Sequence, residues 1–264
     1  MGWGKLAGGG LSGWGIYSVW RRHAKVYQNT WLVNSLPPLS EPLVYLMAFG
    51  FGLGPLIPHL NYQGQEVGYL PFVGSGMMAV GVLFQSFFEG AYGSFVRLHL
   101  QKTWHALLTA PLTFNEVFLG DWLWAATRGL LAGVTTGVVV VGLGLYPLGA
   151  FLACLPLLLL GALLFGGIGL LTAGLVRTVD QINVPIFLVV IPMFALCGVY
   201  FPRDHLPPLL WGIARVLPLS ALLDLLRWPL AWPPGAPLLL AWLVLWVVGL
   251  GWLAWRVIHP QVYR

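Results

Sequence analysis

A chain of 264 residues that is 58% hydrophobic and 8% charged carries about a third of the charge of an ordinary soluble domain. It cannot hide that much apolar surface from water, so lipid is the natural solvent for most of its length. The formal net charge of +5 does not point to nucleic acid, because the basic residues are spread along the chain and not gathered on one domain.

The opening stretch, MGWGKLAGGGLSGWGIYSVWRRHAK, has no continuous apolar core followed by a cleavage site and reads as mature protein. Within it, residues 14–31 predict an amphipathic helix. Ile16, Trp20, Tyr27 and Trp31 share one face, while Ser18, Arg21, Arg22, Lys25 and Gln28 share the other. A basic face opposite aromatics predicts a helix lying in the cytoplasmic membrane interface, anchored by Trp20, Arg21, Arg22 and Lys25.

A membrane crossing needs about 20 mainly apolar residues. Six such stretches follow, at 41–57, 67–88, 117–146, 148–176, 182–201 and 237–258. The third has its own start signal. Thr113 and Glu116 fit a capping box, in which the two residues satisfy the first free N–H groups of a helix. That helix begins in water or among headgroups, which places Asp121, Trp122, Trp124 and Arg128 at interfacial depth. Gly129, Gly133 and Gly137 then leave one face bare for close approach by another helix, within the chain in preference to across a dimer. Cys154 and Cys197 lie in apolar runs and read as packing residues, since no disulfide framework pattern surrounds them.

Two connections are not ordinary loops. Between the second and third crossings, 101–108 reads as a short helix that stops at Pro111, with Trp104, Leu107 and Leu108 set against Lys102 and His105. Its pattern fits a docking knob for a soluble partner or a solvated interfacial helix. After the fifth crossing, Pro202, Pro207 and Pro208 prevent a continuous helix, and Pro218 interrupts the next one. Residues 202–227 are too apolar for water, and lipid does not tolerate irregular backbone unless protein or a water-filled cavity surrounds it. A re-entrant helical hairpin in the outer half of the membrane is expected, with Asp224 and Arg227 paired at i, i+3.

Basic residues set the orientation. Nine (Lys5, Arg21, Arg22, Lys25, Arg97, Lys102, Arg177, Arg256 and Arg264) fall on one side, and three (Arg203, Arg215 and Arg227) on the other. Arg128 lies inside a crossing. Both termini are therefore expected in the cytoplasm.

The chain has no G-x-x-x-x-G-K-[ST] phosphate loop, no H-E-x-x-H and no G-x-S-x-G, and its six histidines are scattered. No catalytic or metal-binding residue is assigned. An ion-coupled secondary transporter is the alternative reading, and it needs an acid at mid-membrane depth. Glu41 is the one candidate, with the other acids at span ends or in loops. Few charges line any crossing while aromatics are plentiful, which favours an amphipathic cargo.

Two long segments, FEGAYGSFVRLHLQKTWHALLTAPLTFNEVFLGDWLWAATRG and GVYFPRDHLPPLLWGIARVLPLSALLDLLR, resemble the permease subunits of ABC-2 type exporters, and most of all the nodulation-factor (NodJ-type) permeases. The shared elements are Phe201, Pro202, Leu206 and Pro207 as F-P-x-x-x-L-P, Leu217-Pro218-Leu219, Asp224 with Arg227, and Trp124 to Arg128. The resemblance implies an all-α integral membrane protein forming a single transmembrane domain over 1–264. That domain has six crossings, cytoplasmic termini and an interfacial N-terminal helix. It implies a coupling helix at 101–110 bearing Gln101, Lys102, Thr103, Trp104 and His105. It also implies re-entrant helices at 202–227 with Phe201, Pro202, Leu206, Pro207, Pro218, Asp224 and Arg227 as an outer gate. A homodimer paired with two copies of a cytoplasmic ATPase, which binds ATP and Mg, would export a lipo-oligosaccharide, lipid-linked glycan or hydrophobic drug across the bacterial cytoplasmic (inner) membrane. The family pattern often carries His after L-P-L, where this chain has Ser220 and Ala221.

Overall fold

The computed structural model describes residues 11–263, without the side chains at 33, 35, 37–39 and 41–42. The expectations resting on residues 1–10, on the Glu41 carboxyl group and on Arg264 lie outside the described residues. In chain order the helices α1 (Gly13–Gln28) and α2 (Trp31–Gly52) precede an antiparallel hairpin of β1 (His59–Tyr62) and β2 (Gln65–Gly68). Then come α3 (Tyr69–Leu100), α4 (Thr103–Leu108), α5 (Phe114–Gly142), α6 (Leu148–Leu175) and α7 (Val179–Leu196). The short α8 (Pro208–Val216) and α9 (Pro218–Leu226) lead to α10 (Ala236–Val262).

Among the described residues five helices are long and apolar enough to cross a membrane: α3, α5, α6, α7 and α10, or six if α8 and α9 together count as one. The expected first crossing at 41–57 is not among them. It falls in α2, whose apolar part is only Leu43–Gly52, because Asn34, Ser35, Ser40 and Glu41 dilute the preceding turns. The second crossing is longer than expected. It runs through to Leu100 in wide turns with i to i−5 hydrogen bonds, such as the Gln101 N–H to the Val96 carbonyl at 2.8 Å. Arg97, expected in a loop, therefore sits on a membrane helix. Such π-helical turns displace side chains from the normal helix register and gather at functional sites.

The hairpin replaces what reads as a plain connection. Tyr62 pairs with Gln65, and the two turn residues Gln63 and Gly64 have φ of 52° and 79°. Both positive values fit a type I′ turn. Gln-Gly is a weaker signal for that turn than Asn-Gly, so the sequence alone does not announce it.

The interior is built on α3, α5 and α6. The Gly129 and Gly133 face of α5 is pressed on α3: an added Cβ at Gly129 would collide with Ser86, and one at Gly133 would lie 2.5 Å from Val82. The approach expected of these glycines is therefore internal. A second, smaller core sits at the other end of the bundle, where Trp104, Phe114, Phe118, Ala254 and Ile258 bring α4, α5 and α10 together.

Candidate functional site

Polar side chains are buried at both ends of α3. Toward its C-terminal end, Arg97 is the hub. Its Nη1 donates to Glu89 Oε1 at 2.7 Å, its Nε lies 2.7 Å from Asp121 Oδ1, and its Nη2 donates to Ser94 Oγ at 3.1 Å and Asp121 Oδ2 at 3.2 Å. Asp121, on α5, is fully buried. It also accepts from the Ser94 hydroxyl and lies 3.1 Å from His23 Nε2 on α1. Trp124 Nε1 donates to Glu89 Oε1 at 3.0 Å. Three helices are thus joined by one charge network, and each carboxylate has an arginine within reach, as a buried ion needs.

α1 is held to α5 at two further points. Glu116 completes the expected capping box, accepting from the Thr113 N–H at 2.7 Å while Thr113 Oγ1 accepts from the Glu116 N–H. The same carboxylate accepts from the Ser12 N–H at 3.0 Å, so it caps two helices. Trp20 Nε1 donates to Thr127 Oγ1 at 2.9 Å. Here the expectation for α1 is corrected. Trp20 and Tyr27, predicted to face lipid, are half-buried on α5, with Gly15, Val19 and His23 fully buried between them. Arg21, Arg22 and Lys25 are exposed.

α4 follows directly from the end of α3. Lys102 begins it with a left-handed φ of 49°, an unusual conformation for a residue with a side chain. The residues from Gln101 to His105 divide sharply by exposure. Gln101, Lys102 and His105 are exposed, whereas Thr103 is buried and Trp104 is only 1% exposed. Trp104 packs edge-on against Phe114 and Phe118, with ring centroids 6.0 and 6.4 Å apart. Trp104 is therefore a peg that fixes α4 and not part of any surface a partner could touch, a correction to the sequence reading. Phe114 also meets Trp255 and His259 of α10.

At the opposite end of α3, the proline-rich segment is an elbow. α8 and α9 meet at 80° at Leu217–Pro218, a bend that suits a broken span or a re-entrant loop. Asp224 does not make its ion pair with Arg227. It accepts from Arg203 Nη2 at 2.6 Å and from the Tyr62 hydroxyl at 2.8 Å, which ties α9 to the hairpin. Burial, then the neighbouring Asp224 carboxylate, pushes the Tyr62 hydroxyl upward in pKa, so it stays a donor. Arg227, 2% exposed, turns the other way. Its guanidinium donates to the carbonyls of Gly198 (2.8 Å), Val199 (3.1 Å) and Phe72 (3.2 Å) and lies 3.5 Å from the Phe72 ring centre. Of the other expected gate residues, Pro202 and Pro218 are buried, Leu206 is half-buried, and Phe201 and Pro207 are exposed. Cys154 and Cys197 are both free and buried, and burial pushes the Cys197 thiol to a pKa of about 11.

Residues 15–231 match the family model of the ABC-2 type transporter. The chain belongs to the ABC-2 type transporter family. It is similar to Nodulation protein J of Rhizobium leguminosarum bv. trifolii, 36% identical over 222 residues, covering 84% of this chain and 82% of that one. Nodulation protein J of Rhizobium meliloti (strain 1021) is 33% identical over 216 residues, covering 82% and 81%. The Inner membrane transport permease YadH of Escherichia coli (strain K12) is 23% identical over 246 residues, covering 92% and 94%. As an ABC-2 permease with at least five apolar helices, the chain is a multi-pass protein of the bacterial inner membrane.

For this ABC-2 permease the sequence picked out the short helix α4 and the proline-rich elbow but missed the Arg97 network. Its members lie far apart: His23, Glu89, Ser94, Arg97 and Asp121 span about a hundred residues. The available signal was charge count, since Glu89, Arg97, Asp121 and Arg128 are four charges beside apolar crossings in a chain with very few. Such residues mark paired, functional positions.

Proposed function

We infer that this chain is the membrane half of an ATP-driven exporter, working as a homodimer with two copies of a separate cytoplasmic ATPase that binds ATP and Mg. Six crossings with both termini in the cytoplasm belong to this reading. The observation that carries this reading is α4. A six-residue helix has too little backbone to be stable alone, yet Trp104 pins it in an aromatic core while His105, and Gln101 and Lys102 just before it, stay exposed. That arrangement suits a lever: a partner grips the polar side, and the peg passes the push to α5 and α10. ATP supplies the preference between two states, and the permease supplies the element that has two states. The Arg97 network, one residue cluster back along α3, joins the lever to α1 and α5. Cargo leaves past the elbow of α8 and α9, the outer gate. It is an amphipathic molecule such as a lipo-oligosaccharide, lipid-linked glycan or hydrophobic drug, since the crossings offer aromatic and aliphatic surface and few charges.

The test is ATP hydrolysis by the cognate ATPase subunit, co-reconstituted with this chain in liposomes. Lys102→Ala with His105→Ala is expected to abolish stimulation by the permease while leaving its unfolding temperature unchanged, because both side chains are exposed. Full stimulation by that double variant would remove α4 as the docking site. Transport driven by a proton or sodium gradient without the ATPase would replace this reading with ion-coupled transport.

A further inference from the structure

We propose that the cleft between α1, the C-terminal end of α3 and α5 holds the anionic phosphate headgroup of a membrane lipid. The cleft encloses about 410 Å³, and its charged lining consists of Arg22, Arg97 and Arg128, with His23, against a single carboxylate, Glu89. The arginines are not equivalent. Arg97 is spent on Glu89 and Asp121 at 2.7 Å each. Arg128 is not. Among the described residues its acceptors are Glu89 at 3.6 Å and Gln85 at 3.5 Å, well beyond the roughly 2.7–2.9 Å of a charge-assisted hydrogen bond. Its Nε is buried without a hydrogen bond. The guanidinium is nonetheless held in place, 4.6 Å from the centre of the Tyr27 ring. A rigid, under-used guanidinium fork inside a cleft suits a phosphate, which accepts in that planar, two-pronged geometry. Arg22 stands exposed on the rim.

A second, small space of about 20 Å³ shares Tyr27, Asn34 and Arg128 with the cleft and continues along Leu131, Ala132 and Thr135 of α5. These residues lie deeper in the crossing than Arg128, by one to two turns. That space also meets Gln85 and is too small for an acyl chain, so the chains of a lipid held at Arg128 would lie outside it, against exposed surface such as Leu131. A free phosphate would use only the cleft. Basic pockets between membrane helices are a known way of holding anionic headgroups. The inference needs only that the chain sits in a membrane and stands or falls apart from the export reading.

The experiment is native mass spectrometry of the full chain in detergent with dioleoyl phosphatidylglycerol, dioleoyl phosphatidylcholine or glycerol 3-phosphate added. The wild type is expected to retain phosphatidylglycerol over phosphatidylcholine. Arg128→Gln is expected to weaken that retention roughly tenfold, the scale of one lost charge-assisted hydrogen bond. Arg22→Gln, at an exposed position where folding is not at stake, is expected to weaken it by a smaller factor. Arg177→Gln, an exposed arginine outside the cleft, serves as the control and leaves it unchanged. Equal retention of the two lipids, or full retention of phosphatidylglycerol by both cleft variants, overturns the proposal. Displacement of the lipid by equimolar glycerol 3-phosphate also overturns it, because the site would then be one for a soluble anion.

Discussion

Arg97, near the C-terminal end of α3, and Arg227, packed against its N-terminal end, are both largely withdrawn from solvent, and they solve opposite problems. Arg97 answers charge with charge: two carboxylates, Glu89 and Asp121, surround it. Arg227 answers no charge directly. Its neighbour Asp224 is taken by Arg203, and Arg227 spends its donors on three backbone carbonyls and lies over the Phe72 ring. Two of those carbonyls belong to Gly198 and Val199, just past the end of α7, where φ at Gly198 is 86° and the helix ladder has stopped. In a membrane such carbonyls find no water, and each must be satisfied internally. One end of the molecule is thus a network of side chains joining helices, and the other is a staple that makes irregular backbone tolerable.

The largest expected effect breaks the first of these. Arg97→Leu strands Asp121, which is fully buried, and removing one partner of a buried pair costs roughly 3–5 kcal/mol. His23 and Ser94 remain beside Asp121 and keep the loss toward the lower end of that range. Adding Asp121→Leu is expected to recover much of the loss, because a buried pair replaced by apolar residues often loses little. Thermal unfolding in detergent for the two single variants and the double variant gives the coupling directly. Additive losses would mean that the two groups do not act as a pair.

The same cycle sharpens the contrast at the other end. Arg227→Leu is expected to cost about 3 kcal/mol, since buried carbonyls lose their donors at about 1–3 kcal/mol apiece while the larger apolar contacts of α9 remain. Here Asp224→Asn should not rescue the variant, because the partner of Asp224 is Arg203. A rescue as strong as that expected at Arg97 and Asp121 would show that Arg227 is there for charge after all.

The two ends also differ in how far they can be read from sequence. The elbow announces itself, since Pro202, Pro207, Pro208 and Pro218 each forbid a helical hydrogen bond, and the break at Leu217–Pro218 is where the chain bends. The capping box at Thr113 and Glu116 is equally local, with both residues inside one helical turn. What local reasoning cannot supply is the choice among partners. Spacing offers Arg227 to Asp224, but Arg203, 21 residues earlier, takes the carboxylate, because the fold brings the 198–203 segment over α9. Trp104 fails to be legible for a related reason. A tryptophan between Lys102 and His105 looks like a surface anchor until Phe114 and Phe118 close over it. α1 repeats the lesson: spacing places Trp20, Tyr27 and Trp31 on one apolar face, but α5 half-covers Trp20 and Tyr27 while Trp31, at the start of α2, stays exposed.

The smallest effect tests whether the hairpin belongs to the outer cluster energetically or merely touches it. Tyr62→Phe removes one hydroxyl donor to Asp224 and leaves the Arg203 pair in place, so a loss of about 1 kcal/mol is expected near neutral pH. Its pH dependence carries more information. The Tyr62 pKa is raised in the folded protein, chiefly by burial, so the folded state holds this proton more tightly than the unfolded chain does. Its contribution is complete below the ordinary tyrosine range and is lost as pH rises through and above it, where the unfolded chain ionises first. Wild-type stability is therefore expected to fall on going from pH 9 to pH 11, and Tyr62→Phe should fall less steeply over the same interval. Tyr146, also raised by burial, contributes a parallel slope that Tyr146→Phe isolates. If Tyr62→Phe and the wild type fall with equal slope, the hydroxyl is not buried as its contact with Asp224 requires, and the hairpin is an ornament on the elbow and not part of its lock.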